Sequence, residues 1–205
     1  MRGWFRAGMA LVLATAALPA IGQVAGGFGA NHSDGEAFIE AIEKGDNNAA
    51  IPLIEQPGSG VAKYRNYKGE TALHVATRKR ELEWVGYLLK KGADPNVPDN
   101  QGDTSLMIAS RIGFEEAIDW MLQLGARVDT PNRRGETALI IAVQQRQLRV
   151  VEQLLRAGAN PDKSDHAAGF TARDYAKRDT RNPQLLKLIE TIKSTKKAVS
   201  GPSIN

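Results

Sequence analysis

The chain has 205 residues, 42% hydrophobic and 24% charged, enough for a sizeable core without a covalent staple. Lys plus Arg number 27 against 23 Asp plus Glu, a net +4 that is too mixed for a dedicated nucleic-acid binder. There is no cysteine, which excludes disulfides, thiolate metal sites, a thiol nucleophile and a cysteine lipid anchor.

Residues 1–22 read as an export signal. Arg2 and Arg6 precede an apolar run from Ala7 to Leu18, followed by Pro19 and small residues at Ala20 and Gly22. That order fits the three regions of a secretory signal peptide, with cleavage before Gln23. An uncleaved membrane anchor competes, since Ala7 to Ser33 holds no Lys, Arg, Asp or Glu. The apolar run is nevertheless shorter than the roughly 20 residues that span a bilayer. Removing the leader would discard Arg2 and Arg6 and lower the net charge to +2. Residues 23–33, with Gly26-Gly-Phe-Gly29, read as a flexible linker rather than a phosphate loop: no strand precedes them and no Gly-Lys-Ser/Thr follows.

From there a repeat organises the chain. Gly69-Glu-Thr-Ala-Leu-His-Val-Ala76 returns as Gly102-Asp-Thr-Ser-Leu-Met-Ile-Ala109 and Gly135-Glu-Thr-Ala-Leu-Ile-Ile-Ala142. A weaker copy is Gly169-Phe-Thr-Ala-Arg-Asp-Tyr-Ala176. A second motif keeps the same step: Leu88-Leu-Lys-Lys-Gly-Ala-Asp94, Met121-Leu-Gln-Leu-Gly-Ala-Arg127 and Leu154-Leu-Arg-Ala-Gly-Ala-Asn160. Thr71, Thr104, Thr137 and Thr171 are placed to cap a short helix, a role worth about 1 kcal/mol. Apolar pairs such as Trp84/Val85 and Leu88/Leu89 then form one stripe of a second helix. Gly92, Gly125 and Gly158 end that helix. One unit cannot bury both helices alone, so the units must stack.

The Gly-x-Thr-x-Leu-x-x-Ala start, the Leu-Leu-x-x-Gly-Ala-Asp middle and the 33-residue step resemble ankyrin repeats. The resemblance implies an all-α solenoid of stacked helix-turn-helix units with extended turns. Its divisions are an N-terminal cap at 34–68, clear repeats at 69–101, 102–134 and 135–168, a C-terminal cap at 169–197 and a disordered tail at 198–205. Several positions depart from the family pattern. The usual proline after the capping Thr is Ala72, Ser105, Ala138 and Ala172. The family's histidine survives as His74 but is Met107, Ile140 and Asp174 elsewhere. The inter-helix glycine survives as Gly113 but is Arg80 and Arg146, which either accept positive φ at some strain or relax the turn. Two connections are irregular, one around Pro57-Gly-Ser-Gly60 and one around His166-Ala-Ala168, and either could host specificity or mobility.

No catalytic, metal or cofactor site is expected. The three histidines, 32, 74 and 166, are scattered, and a metal needs three or four converging ligands. Asp162, Asp165 and His166 form the one local acid–imidazole cluster, read as a solvated turn with an atypical hydrolytic site as the rival. Binding remains. In the resembling family, turn tips and first helices line a concave face. By motif position the tips are Tyr67, Lys68, Asn100, Gln101, Arg133 and Arg134. The ends of the first helices are Arg78, Lys79, Arg111, Ile112, Gln144 and Gln145. These residues are mostly basic or amide, which suits a partner protein with an acidic or carbonyl-rich surface, unless they are simply solvated. Tyr67 and Ile112 are the expected anchors. Tyr87 and Trp120, one repeat apart, read as half-buried packing rather than a second patch.

Charge is polarised. Asp34 to Glu55 sums to −5 and Arg173 to Lys197 to +5, which either steers a partner or keeps two caps soluble. The sequence therefore points to a bacterial-type, exported, monomeric, non-catalytic binder of another protein. It would sit in the periplasm without stable membrane insertion and without nucleic acid. A secreted effector acting in another cell is the alternative.

Overall fold

The computed structural model describes residues 32–199; the leader, its cleavage point and the linker up to residue 31 lie outside them, as do residues 200–205. Helices come in pairs. The first are α1 (His32–Lys44) with α2 (Asn47–Glu55), then α3 (Ala72–Arg78) with α4 (Leu82–Lys90), and α5 (Ser105–Ile112) with α6 (Glu115–Gln123). They continue as α7 (Ala138–Gln144) with α8 (Leu148–Arg156), and α9 (Ala172–Arg178) with α10 (Pro183–Val199). Helix α1 starts at His32, so the boundary expected at 33/34 falls inside it, and α10 runs past residue 197.

Each odd-numbered helix packs on the next odd one, from α1 through α9. From α4 onward, each even-numbered helix packs on the next even one. The result is an inner layer and an outer layer with finger-like turns projecting between repeats. The core is one continuous sheet of side chains between the layers, including Leu73, Leu106 and Leu139 from inner helices. Leu88, Met121 and Leu154 meet them from the outer helices. All six are essentially fully buried. This is the burial that the paired apolar stripes require.

The capping positions work as the sequence implies, with one variation. Thr104, Thr137 and Thr171 accept from the backbone N–H three residues on. The Asp174 carboxylate returns the bond to the Thr171 N–H at 3.1 Å, closing a capping box. In the first repeat His74 has that return role, its Nδ1 accepting from the Thr71 N–H at 3.1 Å. Asp174 thus departs from the family residue but keeps its contact.

The turns do not relax at the two arginines. Arg80 has φ 61° and Arg146 φ 57°, the left-handed conformation that Gly113 adopts at φ 66°. Arg80 is held there by its own side chain, which donates to the Ile112 carbonyl at 2.8 Å and stacks on Phe114 at 4.8 Å. Arg146 is held by Asp179 of the following cap. Around Pro57–Gly60 the chain is anchored: the Ser59 hydroxyl donates to the Leu53 carbonyl, and Val61 and Ala62 are buried.

On the outer layer the Trp120 ring lies against Gly86, where a Cβ would come within 2.3 Å of it. Trp120 retains 38% exposure and Tyr87 is half-buried, edge-on to Trp84.

Candidate partner-binding face

Each finger is built around one amide or carboxylate. Asn66 Oδ1 accepts from the N–H groups of Lys68 and Glu70. Asp99 Oδ1 does the same for Gln101 and Asp103, and Asn132 Oδ1 for Arg134 and Glu136. Asp165 takes this place in the last finger, accepting from Ala168 because one residue is inserted there. Short polar side chains that bond the backbone two residues on define such turns.

Successive fingers are tied tip to tip. The Asn100 N–H donates to the Lys68 carbonyl at 2.9 Å, and its side-chain amide donates to the Tyr67 carbonyl at 2.9 Å. Arg133 N–H donates to Gln101 at 3.1 Å, and His166 N–H to Arg134 at 2.7 Å. The six expected tip residues therefore lie on one continuous ladder. Tyr67 projects from it with 79% exposure, the Lys68 ammonium 5.5 Å from its ring.

At the ends of the inner helices the basic residues are engaged by carboxylates. Arg78 is paired with Glu70 of its own finger and reaches Glu43 at 3.5 Å. Arg111 is paired with Asp103 at 2.6 Å. Glu136 has no arginine at the corresponding helix end, which is Gln144, and instead pairs with Arg134 at 2.7 Å. Burial pushes the Glu70 carboxyl up. The hydrogen bond and charge of Arg78, with Asn66 and Lys68, outweigh it and hold the group below its ordinary value. Arg78 is raised by the same pairing, against the opposing effect of its burial.

Lys79 also has a structural role, donating to the carbonyls of Ile42 at 3.2 Å and Glu43 at 2.7 Å at the end of α1. Ile112 is half-buried against the core, whereas Tyr67 is not. Gln144 and Gln145 are exposed. Tips and helix ends are thus brought onto one side of the stack, but Arg78, Arg111 and Arg134 arrive there neutralised.

Glu70, Asp103 and Glu136, each directly after a finger glycine, are the counter-charges of this face, which the sequence analysis did not identify. The signal was present in two repeats as an acid after the finger glycine and an arginine eight residues on. In the C-terminal cap those two positions are Phe170 and Arg178, and the guanidinium stacks on the ring at 3.9 Å. Beside it an open cleft of about 360 Å³ lies between α7 and α9, lined by Gln144, Arg146, Tyr175, Arg178, Thr180 and Arg181 among others.

The acid–imidazole cluster is divided among different neighbours. Asp162 binds Arg173 at 3.0 Å, the Tyr175 hydroxyl donates to Asp165, and the His166 ring covers the backbone of Gly135. Among the described residues, no group of three His, Cys, Asp or Glu could hold a metal ion. The acidic N-terminal cap meets repeat 1 through Glu43–Arg78 and Glu55–Lys91, the latter at 3.1 Å.

Models of ankyrin repeats match residues 62–109 and 96–165, the segment that carries the finger ladder and the paired helices. The chain belongs to the ankyrin-repeat family. Its all-α solenoid of stacked helix pairs is the fold of that family. Two curated relatives share part of the repeat array, both described as BRCA1-associated RING domain protein 1. The Homo sapiens protein is 54% identical over 35 residues, which is 17% of this chain and 4% of that protein. The Mus musculus protein is 47% identical over 47 residues, 22% of this chain and 6% of that one. The chain thus spans only a small fraction of the length of these relatives. No helix among the described residues is long and apolar enough to cross a membrane.

Proposed function

We propose that this ankyrin-repeat protein is an exported, non-catalytic adaptor or protective binder that holds a partner protein against its fingers and inner helices. The observation that carries the reading is the finger ladder. Hydrogen bonds from tip to tip fix Tyr67, Lys68, Asn100, Gln101, Arg133 and Arg134 on one surface before any partner arrives. Pre-organisation of this kind removes ordering entropy from the cost of association. Tyr67 is the anchor candidate, a large amphipathic ring within a polar surround. Of the twelve expected contact residues, Arg78, Lys79 and Arg111 also serve the fold through their ion pairs and carbonyl contacts.

Export to a periplasm rests on the residues of the leader: Arg2 and Arg6, the apolar run to Leu18, and Ala20 with Gly22 before Gln23. The mature chain is expected to be a monomer. Affinity capture from the envelope fraction tests the binding reading when paired with a Tyr67→Ala, Arg133→Gln variant of unchanged helical content. The partner should be lost from the variant's eluate, and equal recovery would refute the finger face. Amino-terminal sequencing of the protein from a periplasmic fraction should begin at Gln23; an intact Met1 in the cytoplasm would refute export.

A further inference from the structure

Positive charge on the partner-facing side is distributed differently from the arginines in the sequence. Arg78 and Arg111 face carboxylates of their own fingers, and repeat 3 has the neutral Gln144 at the same place. In the C-terminal cap the carboxylate position is Phe170, so Arg178 is supported by a ring in place of a carboxylate of its own finger. Arg181 follows on the same rim, its N–H donating to the Asp179 carboxylate. Among the described residues neither Arg178 nor Arg181 is ion-paired. Among the described residues the single carboxylate lining the cleft, Asp179, is engaged by Arg146 at 2.5 and 3.2 Å. The cleft therefore carries three guanidinium groups against one carboxylate, in a space of about 360 Å³.

We infer that this cleft between α7 and α9 seats a carboxylate-bearing peptide segment of the partner, held by Arg178 and Arg181. The inference rests on the binding reading above and moves its electrostatic centre from the middle repeats to the C-terminal cap. A planar guanidinium offers forked donors that match a carboxylate, and Arg146 on Asp179 already shows that match on the cleft wall. The Phe170 ring holds one face of Arg178, which leaves the edge donors for a ligand. Gln144 and Thr180 supply amide and hydroxyl partners for the peptide backbone beside the acid. The volume admits an acidic side chain with its flanking peptide groups, within the range of small-ligand sites.

The test uses the full chain as processed by the cell, titrated by calorimetry with an acetylated, amidated octapeptide of alternating Glu and Ser. Four proteins are compared: wild type, Arg178→Gln with Arg181→Gln, Tyr67→Ala with Arg133→Gln, and Lys90→Gln with Arg149→Gln. The last removes two charges from the outer helices. The expected result is at least a tenfold weaker Kd for the cap variant. The outer-helix variant should change it less than twofold, with binding that weakens as salt rises. A second expected result is that backbone amides of residues 178–181 shift in NMR spectra on titration. Loss of peptide binding in the finger variant with none in the cap variant overturns this inference and leaves the binding reading standing. If a captured partner is unaffected by either variant, both fall. Failure of the peptide to bind wild type, or equal competition by inorganic phosphate, overturns the acidic-peptide assignment.

Discussion

Glu70 and Arg78 pair across eight residues, the carboxylate on the finger before α3 and the guanidinium on that helix's last turn. The same two positions pair as Asp103 with Arg111, and as the ring of Phe170 with the guanidinium of Arg178. In repeat 3 the helix-end residue is Gln144, and Glu136 turns to Arg134 on its own finger. The pair ties three of the fingers to their inner helices, so this side of the stack is braced by the charges that decorate it.

Replacing Glu70 by Gln should therefore weaken the fold at neutral pH. Glu70 is 10% exposed and Arg78 41% exposed, so solvent screens the attraction and the cost should be about 1 kcal/mol rather than that of a buried pair. The pH dependence has a definite sign. The folded-state pKa of Glu70 lies below its ordinary 4.5, so its stabilisation is present above that value and lost as pH falls through the folded pKa. Urea unfolding from pH 7 down to pH 3 should show a shallower acid loss in Glu70→Gln than in wild type. Parallel curves would remove the pair from the acid response.

The two arginines between helices give a cleaner measurement of backbone strain. Arg80 and Arg146 each occupy the left-handed region where Gly113 stands in the middle repeat. Substituting either by Ala or by Gly removes the same side-chain contacts, and only Ala retains the Cβ that makes this conformation costly. Each Gly variant should exceed its Ala counterpart by about 1 kcal/mol in unfolding free energy. Equal stabilities would mean that the turn can relax after all.

These positions also mark where the sequence stopped being legible. The helix pairs could be read because apolar periodicity and capping Thr residues are local signals, and local signals survive without coordinates. Arg80 could not be read, because what holds it at positive φ is the carbonyl of Ile112 and the ring of Phe114 in the next repeat. The finger side was legible as a set of positions but not as a charge distribution. Counting Arg78 and Arg111 as free cations ignored carboxylates eight residues away, a spacing outside helical periodicity because the acid precedes the helix. The cap cleft escaped for the related reason that Phe170 looked like decay of the motif when its ring stacks on the Arg178 guanidinium.

Ser105 offers a stabilising substitution. Among the described residues its hydroxyl is buried without a hydrogen-bond partner, and the equivalent positions in the other units are Ala72, Ala138 and Ala172, all buried. Removing a buried hydroxyl that makes no bond removes its desolvation cost, which is about 1–3 kcal/mol for an unsatisfied group. Ser105→Ala should raise the urea midpoint with an unchanged slope, a gain of about 1 kcal/mol in unfolding free energy once the lost packing of one oxygen is included. A lower midpoint would show that the hydroxyl is satisfied in solution.

His74 sets a second pH response, separate from that of the carboxylates. It is fully buried, its Nδ1 accepts from the Thr71 N–H, and its Nε2 meets the Asp103 carbonyl at 3.2 Å, so the proton belongs on Nε2 and the ring is neutral. Burial pushes its pKa below the ordinary 6.5, more strongly than the Asp103 carbonyl and the nearby acids raise it. The unfolded chain then takes up a proton before the folded one does. Stability contributed by the neutral ring is complete above 6.5 and is lost as pH falls from there through the folded pKa. Met107 occupies the equivalent place in the next repeat and is fully buried, so the site tolerates that shape. His74→Met should lose about 1–2 kcal/mol at pH 7.5, from the broken bonds to Thr71 and Asp103. It should also flatten the stability profile between pH 6.5 and 5, which urea titrations at half-unit intervals would resolve. A variant that keeps the wild-type slope over that interval would assign the response to another group.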